Sequence, residues 1–400
     1  MNIYAQKINI SADLRARYEM RNGYNTLKPD SASIANFISQ RARITIEYNS
    51  DKIKLKLSPQ NVRVWGDVNI NSKNDLNNAL HEAYGEAKLT PIFSIQLGRQ
   101  ELSYDNERIL GATDWNMQAK SHDALLLKFN IDSSTHKIDI GVAYNAVGES
   151  NFKQNYTVNQ YKTLQYIWYH GDFNNINLSV LALNNGMPYI KDNKEKVAFS
   201  QTLGLNTNYK KEKFNANVEA YVQTGKIATN KVLSYYAQGN LEYQWIDQLK
   251  TSIGVAYLSG KSTNDRSSDI KSFNPLYGTN HKFNGFMDYF YVGNHNYSVG
   301  LIDINANIFY KLEKVAFKFM PHVFLSGAEM VKNGVEQKKL LGTELDFTVA
   351  YQVFNSFSLE AGYSQMFATS SMELLKGGNK DNTNNWFYLT AKFNPTIFKN

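Results

Sequence analysis

Arginine is distributed unevenly along this chain of 400 residues. The planar guanidinium group binds carboxylates and phosphates through two parallel hydrogen bonds, whereas the lysine ammonium acts as a point charge. A wall of arginines would therefore favour anionic solutes. The part of the chain that follows residue 110 has a single arginine and otherwise uses lysine. The arginines before that point are Arg15, Arg17, Arg21, Arg41, Arg43, Arg63, Arg99 and Arg108.

Spacing places several of these arginines on one face. Apolar residues separate Arg15, Arg17 and Arg21, and the same holds for Arg41 and Arg43. Alternate residues of a strand face opposite sides, and antiparallel pairing would bring the two groups together. Acidic residues interleaved with the arginines would limit how long an anion is held. An equal alternative is that the arginines and acids form a ladder of salt bridges that only stiffens the barrel wall. The acids are Glu19, Glu47, Glu82, Glu86 and Glu101.

The elements that must position these side chains are short strands. Apolar and polar residues alternate in about eighteen runs between Lys7 and Pro395, separated by connectors that are short and long in turn. This pattern predicts an all-β fold: one transmembrane antiparallel β-barrel domain over residues 1–400, with short periplasmic turns and long extracellular loops. The predicted long connectors are 22–33, 104–122, 146–160, 184–196, 259–296, 326–339 and 368–385.

Alternation also predicts which face meets lipid. In 137–144, 235–245 and 386–393, an apolar set and a polar set occupy opposite faces. We expect the apolar set to face lipid, because a lysine or arginine at the bilayer midplane costs about 2–4 kcal/mol. The polar set then lines the lumen. A soluble sheet protein with the apolar set inside is the alternative.

Composition narrows the classes of protein. Mean hydropathy is −0.46, and no apolar run approaches the ~18 residues of a spanning helix, which excludes a helical membrane bundle. The chain has no cysteine, which excludes disulfides and thiolate chemistry. Residues 1–10 lack the apolar core of a secretion signal, so we expect such a signal either to have been removed or not to be included in this sequence. These features predict the bacterial outer membrane as the location.

The longest connector, 259–296, is rich in aromatic and amide residues. Loops of this length are usually functional or disordered, and its aromatic content favours function. We expect the segment from Asn274 to Phe290 to fold into the lumen as a constriction or gate. The candidate gate residues are Asn274, Tyr277, Asn280, His281 and Lys282.

Two stretches resemble the alginate-export family of outer-membrane barrels. They are the Gly-Arg-Gln-Glu-Leu sequence at 98–102, followed by Asp-Trp at 114–115, and the Asn-Pro-Leu-Tyr-Gly-Thr-Asn-His-Lys-Phe sequence at 274–283. The resemblance covers nearly the whole chain. It implies an 18-stranded monomeric barrel whose electropositive constriction conducts a polyuronate outward, in a family that also contains general porin-like members. The positions that match the family pattern are Arg99 and Glu101, with Arg108 and Asp114 just beyond.

The predicted function is passive translocation of hydrophilic, preferentially anionic solutes through an outer-membrane channel, with an acidic polysaccharide or oligosaccharide among the candidates. A docking barrel whose long loops bind a partner protein, and an outer-membrane enzyme, are the alternatives. The seven histidines show no metal-ligand spacing, and we predict no catalytic residue, metal or cofactor. The expected partners are the lipid bilayer, lipopolysaccharide and the anionic solute or polyuronate. Periplasmic accessory proteins are left open, nucleic acid is not expected, and the barrel is predicted to be a monomer.

Overall fold

Eighteen antiparallel strands close into a barrel in a computed structural model that describes residues 6–131, 135–293, 295 and 297–400. Each strand pairs with its neighbours in the chain, and the first strand also pairs with the last. The strands of the first half are β1 (Lys7–Asn22), β2 (Ala35–Asn49), β3 (Ile53–Val64), β4 (Asn78–Lys88), β5 (Phe93–Gln100), β6 (His122–Ile131), β7 (His136–Tyr144), β8 (Thr163–Phe173) and β9 (Ile176–Lys191).

The second half continues the same meander. β20 and β21 are two parts of one strand, because both pair with β1. β16 and β17 form a separate hairpin within a loop, so they do not count among the eighteen. The elements are β10 (Lys194–Lys211), β11 (Phe214–Ile227), β12 (Asn230–Ile246), β13 (Leu249–Leu258), β14 (Leu301–Leu312), β15 (Val315–Leu325), β16 (Val331–Lys332), β17 (Val335–Glu336), β18 (Leu340–Phe354), β19 (Phe357–Ala368), β20 (Asn384–Phe393) and β21 (Thr396–Lys399).

The predicted number of strands is confirmed. The predicted strict alternation of short and long connectors is wrong at two places, where a connector on the extracellular side is short. Residues 192–193 join β9 to β10, and residues 228–229 join β11 to β12. Asp192 and Asn193 have φ values of 53° and 57°, which is the left-handed backbone of a tight hairpin turn. Asp and Asn tolerate that conformation, so the predicted long connector 184–196 is strand and turn instead.

The predicted faces are confirmed. Leu241 and Leu389 on the apolar faces of β12 and β20 are 47% and 46% exposed to the outside of the barrel. Tyr236 and Trp386 on the opposite faces are buried inside it. An apolar outer surface is what a membrane barrel requires, and it disfavours the soluble alternative.

The single α-helix is short. α1 (Ser370–Lys376) lies in the last loop and begins after Thr369, whose hydroxyl accepts a hydrogen bond from the backbone N–H of Met372. Among the described residues, no helix is both long and apolar enough to span a bilayer.

Two loops fill much of the barrel interior. Residues 101–121 are named L3 here, and the described residues of 259–300 are named L7. Leu110 of L3 and Tyr277 of L7 form a parallel β-bridge. Phe273, Met287 and Tyr289 of L7 are completely buried and belong to the same apolar core as Leu110. The two loops therefore form one packed unit inside the barrel.

Candidate functional site

The arginine wall predicted from β1 and β2 exists, and it is neutralised from within. Arg15 lies directly opposite Arg41 in the strand register. The carboxylate of Asp114, on L3, binds both: its Oδ2 is 3.0 Å from Arg15 Nη2 and its Oδ1 is 2.8 Å from Arg41 Nη1. Asp13 contacts the same two guanidinium groups. L3 is thus attached to the wall by ion pairs, and these arginines are not free to bind a solute.

These contacts change the titration of Asp114. Desolvation would raise the pKa of its carboxyl, but the charges of Arg41 and Arg15 outweigh that effect and lower the pKa to about 2. A group whose pKa is depressed in the folded state stabilises the fold above its unfolded pKa, which is about 3.9 for Asp. That contribution is lost as the pH decreases toward 2.

We therefore expect the attachment of L3 to weaken between about pH 4 and pH 2. Limited proteolysis of the refolded barrel with an acid-active protease across this range would measure it, because released L3 becomes a substrate. The variant Asp114→Asn should show L3 cleavage already at pH 5, with little further dependence on acid. A wild-type cleavage rate that is flat from pH 5 to pH 2 would contradict the assignment.

Arg17 and Arg21 are also paired. Glu19 Oε1 accepts a hydrogen bond from Arg17 Nε at 3.0 Å, and Glu19 Oε2 lies 2.8 Å from Arg21 Nη2. Trp115 of L3 lies between Arg17, whose Cζ is 4.0 Å from the ring centroid, and His281 of L7, whose ring stacks at 4.3 Å. This cation–π and ring stack joins the wall, L3 and L7 in one contact.

Arg43 differs from its neighbours because its hydrogen bonds go to a neutral partner. Its Nε and Nη2 donate to Gln60 Oε1 at 3.0 and 2.8 Å. Arg43 forms no ion pair within 4.0 Å among the described residues. It is the predicted wall arginine whose charge remains available.

Arg63 and Arg99 do not line the lumen, which corrects their prediction as pore residues. The register sets Arg63 opposite Gln40, on the same outward face as the lipid-facing residues of β2. Near the loop-side rim the outer surface leaves the hydrocarbon layer, so a charge is tolerated there, and Asp75 pairs with Arg63. Arg99 likewise shares the outward face of Leu97, which the spacing of two residues could have indicated.

Arg99 pairs outside the barrel, while two other predicted residues lie inside. Asp123 Oδ2 is 3.2 Å from Arg99 Nη1 on the outer surface. Glu101 lies beyond the end of β5 with its Oε1 2.8 Å from His81 Nε2. Arg108 is almost completely buried in L3, where its guanidinium stacks 3.7 Å from the ring centroid of Phe283. Arg108 therefore supports the packing of the two loops.

His81, Glu82 and Glu101 bring their donor atoms within 4.8 Å of one another, and they are the only such group of three among the described residues. The Nζ of Lys56 lies 2.5 Å from Glu82 Oε2. His81 Nδ1 is also 3.1 Å from Ser121 Oγ. Every member of this group has a protein partner, so the arrangement does not require a metal.

The predicted gate residues all belong to the packed part of L7, where two of them hold the loop in place. Asn274 exchanges hydrogen bonds with Gln223 on the barrel wall, at 2.7 and 2.8 Å. Tyr277 donates from its hydroxyl to Asn185 Oδ1 at 2.8 Å. The carbonyls of Tyr277 and Gly278 accept hydrogen bonds from Lys120 of L3. Burial removes water from the Lys120 amine and thereby lowers its pKa to about 8.

Two of the other gate residues, His281 and Lys282, lie where L7 meets L3. His281 Nδ1 is 2.8 Å from Asp288 Oδ1, and Lys282 Nζ is 2.8 Å from Glu107 Oε2 on L3. Asn280 has a buried side-chain oxygen with no hydrogen-bond partner among the described residues. The His281 and Lys282 side chains both line a central cavity.

That cavity of about 510 Å³ lies between the barrel wall and the L3–L7 unit. Lys318 of β15 and Lys392 of β20 also line it. The alternation in 386–393 predicted that Lys392 faces the lumen, whereas Lys318 was not predicted. Neither ammonium group forms an ion pair within 4.0 Å with a described residue, and only the structure shows which cations lack a partner. The charged side chains of the lining are Arg15, Arg17, Glu107, Asp114, His281, Lys282, Lys318, Glu360 and Lys392.

This chain matches one known protein family over most of its length. The model of the alginate export family matches residues 6–370. The chain belongs to the alginate export family. A search of curated protein sequences found no match.

Two solved structures share the barrel fold of this family member. OccAB4 of Acinetobacter baumannii has a TM-score of 0.67 at 12% identity, with 99% of this chain and 100% of that chain covered. The outer membrane protein opdK of Pseudomonas aeruginosa has a TM-score of 0.66 at 11% identity, with 98% of each chain covered. The protein is thus an outer-membrane β-barrel with a porin-like channel architecture.

Proposed function

We propose that this barrel is a passive channel for hydrophilic anions, which pass along the central cavity. The observation that carries the proposal is the charge of the lining: apart from His281, it has five basic and three acidic side chains. Two of the acids, Glu107 and Asp114, are bound to basic residues of the protein. Lys318 and Lys392 are the cations left for a solute, so the cavity attracts anions.

Hydroxyl groups surround these lysines. Thr348, Ser358 and Thr390 line the cavity, together with Tyr388, whose hydroxyl donates to Glu360 at 2.7 Å. A hydroxylated carboxylate such as a sugar acid could pair its charge with a lysine and its hydroxyls with these groups. This chemistry supports an acidic oligosaccharide as the solute class, with the polyuronate of the family as one member.

The double variant Lys318→Gln with Lys392→Gln tests the proposal. A unit charge about 6 Å from the path contributes roughly 1 kcal/mol, so each removed lysine should lower relative anion permeability about fivefold. Reversal potentials of single channels in a planar bilayer across a KCl gradient would measure this, before and after addition of an oligouronate. We expect an anion-selective wild type that the oligouronate blocks, and a double variant that loses both properties.

Lys332→Gln, in the β16–β17 hairpin outside the cavity, is the control and should retain wild-type selectivity. A wild-type channel that prefers cations, or a refolded barrel that does not conduct, would contradict the proposal. Equal selectivity of the wild type and the double variant would show that these lysines are not the filter.

A further inference from the structure

The two tight hairpins on the extracellular side each carry two lysines directly opposite one another. Lys191 pairs with Lys194 in the β9–β10 register, and Lys226 pairs with Lys231 in the β11–β12 register. Like charges directly opposite one another destabilise a hairpin. None of the four forms an ion pair within 4.0 Å with a described residue. Such a pair is better tolerated where an anion from outside the chain lies between the ammonium groups.

The two pairs face opposite sides of the barrel. Lys194 lies on the same face of β10 as Ala198, which is buried on the lumen side. Lys231 shares its face of β12 with Leu233 and Tyr235, which are 51% and 47% exposed to the outside. Because β12 runs from the hairpin tip into the membrane, these two residues lie progressively deeper than Lys231. Only the Lys226–Lys231 pair stands above a lipid-facing apolar surface.

A groove of about 610 Å³ continues from Lys231 along this outer surface. Leu233, Tyr235 and Tyr257 form its apolar part. Its polar part includes Lys271, which pairs with Asp265 at 2.7 Å, and the carboxylate of Asp269. The groove therefore has a charged end at the rim, where Lys231, Lys271 and Asp269 lie, and an apolar end toward the membrane.

Two other outward-facing cations at this rim have partners within the chain. Arg63 pairs with Asp75, and Arg99 pairs with Asp123. The Lys226–Lys231 pair has no acid within 4.0 Å among the described residues, although Asp269 lines the same groove as Lys231. The difference indicates that its counter-charge comes from the surroundings, and the surroundings of an outward residue at this height are lipid headgroups.

We infer that Lys226, Lys231 and the adjoining groove bind a phosphorylated glycolipid of the outer leaflet, of the lipid A type. A phosphate group would lie between the two ammonium groups, each of which donates hydrogen bonds to its oxygens. An acyl chain would lie along Leu233 and Tyr235, with the hydroxyls of Tyr235 and Tyr257 at the interface. The inward pair Lys191–Lys194 overhangs the channel mouth and has no part in this site.

Lipid binding to the detergent-solubilised barrel tests the inference, with native mass spectrometry as the readout. The probes are lipid A carrying two phosphates, the same lipid without phosphate, and phosphatidylglycerol. We expect Lys226→Gln with Lys231→Gln to weaken binding of the bisphosphorylated lipid about tenfold. The matched variant Lys191→Gln with Lys194→Gln, which removes the same charge from the neighbouring hairpin, should bind as the wild type does.

Each other outcome would overturn the inference. Equal weakening by the two double variants would show a general effect of net charge, and no weakening by either would exclude the site. Wild-type affinity that is unchanged by removal of the lipid phosphates would exclude phosphate recognition. Equal affinity for phosphatidylglycerol would exclude the glycolipid as the specific occupant. Heat-modified mobility on gels confirms that each variant is folded before it is compared.

Discussion

Arg41→Ala should lower the free energy of unfolding by about 3 kcal/mol and weaken the attachment of L3 to the barrel wall. The Arg41 side chain is 1% exposed and joins Asp13 to Asp114, so its removal leaves the two carboxylates with Arg15 as their shared partner. The expected loss is at the lower end of the range for buried pairs, because half of the Asp114 side chain is accessible to water. Urea unfolding of the refolded barrel in detergent would measure it.

Arg43→Ala is the control, since it removes a guanidinium from the same wall without breaking an ion pair. The loss of its hydrogen bonds to Gln60 should cost about 1 kcal/mol. Combining Arg41→Ala with Asp114→Asn should destabilise less than the sum of the single changes, because both changes remove the same Arg41–Asp114 ion pair. Equal effects of Arg41→Ala and Arg43→Ala would show that the ion pairs contribute little to stability.

Replacing residues 274–290 by a short Gly-Ser linker should raise single-channel conductance several-fold. This segment of L7 fills the lumen with side chains such as Met287 and Tyr289, which are completely buried. The barrel itself is closed by its strand ladder, so it should still fold. Selectivity should also move toward cations, because Glu344, Asp346 and Asp303 on the wall now bind this segment and would face the pore.

A point change tests the same idea without removal of the loop. Gly285 has φ +84°, and a Cβ there would lie 2.6 Å from Glu344 Oε1, so Gly285→Ala should displace the 284–287 turn and raise conductance partially. Deletion of residues 331–336 in the β16–β17 hairpin is the control and should leave conductance unchanged. A wild-type conductance after replacement of 274–290 would show that L7 does not limit flow.

Much of the barrel was predictable because strand alternation is a local property. A period of two needs only neighbouring residues, so the eighteen strands and the faces of β12 and β20 follow from the sequence. The same rule predicted that Arg15 and Arg41 share the lumen face. The expectation that charged side chains face the lumen was unreliable at the extracellular rim of the barrel. There the outer surface leaves the hydrocarbon layer, and Arg63 faces outward and pairs with Asp75.

Turn length was less predictable than strand position. The polar residues of 184–196 suggested a loop, yet Asp192 and Asn193 close a tight hairpin and the flanking residues remain in the ladder. Exposed hairpin tips above a membrane have the same polar composition as loops. Composition alone therefore does not separate the two, and hydrogen bonding between distant strands decides it.

By itself, then, the sequence determined the all-β barrel, its two faces and the concentration of arginine at one wall, because each depends on residues close together in the chain. Only the tertiary structure decided which charges remain free. Asp114 lies 99 residues from Arg15 and neutralises it, whereas Lys318 and Lys392 receive no such partner among the described residues. Ion pairing depends on how L3 and L7 pack inside the barrel, and that packing brings together segments that no local pattern connects.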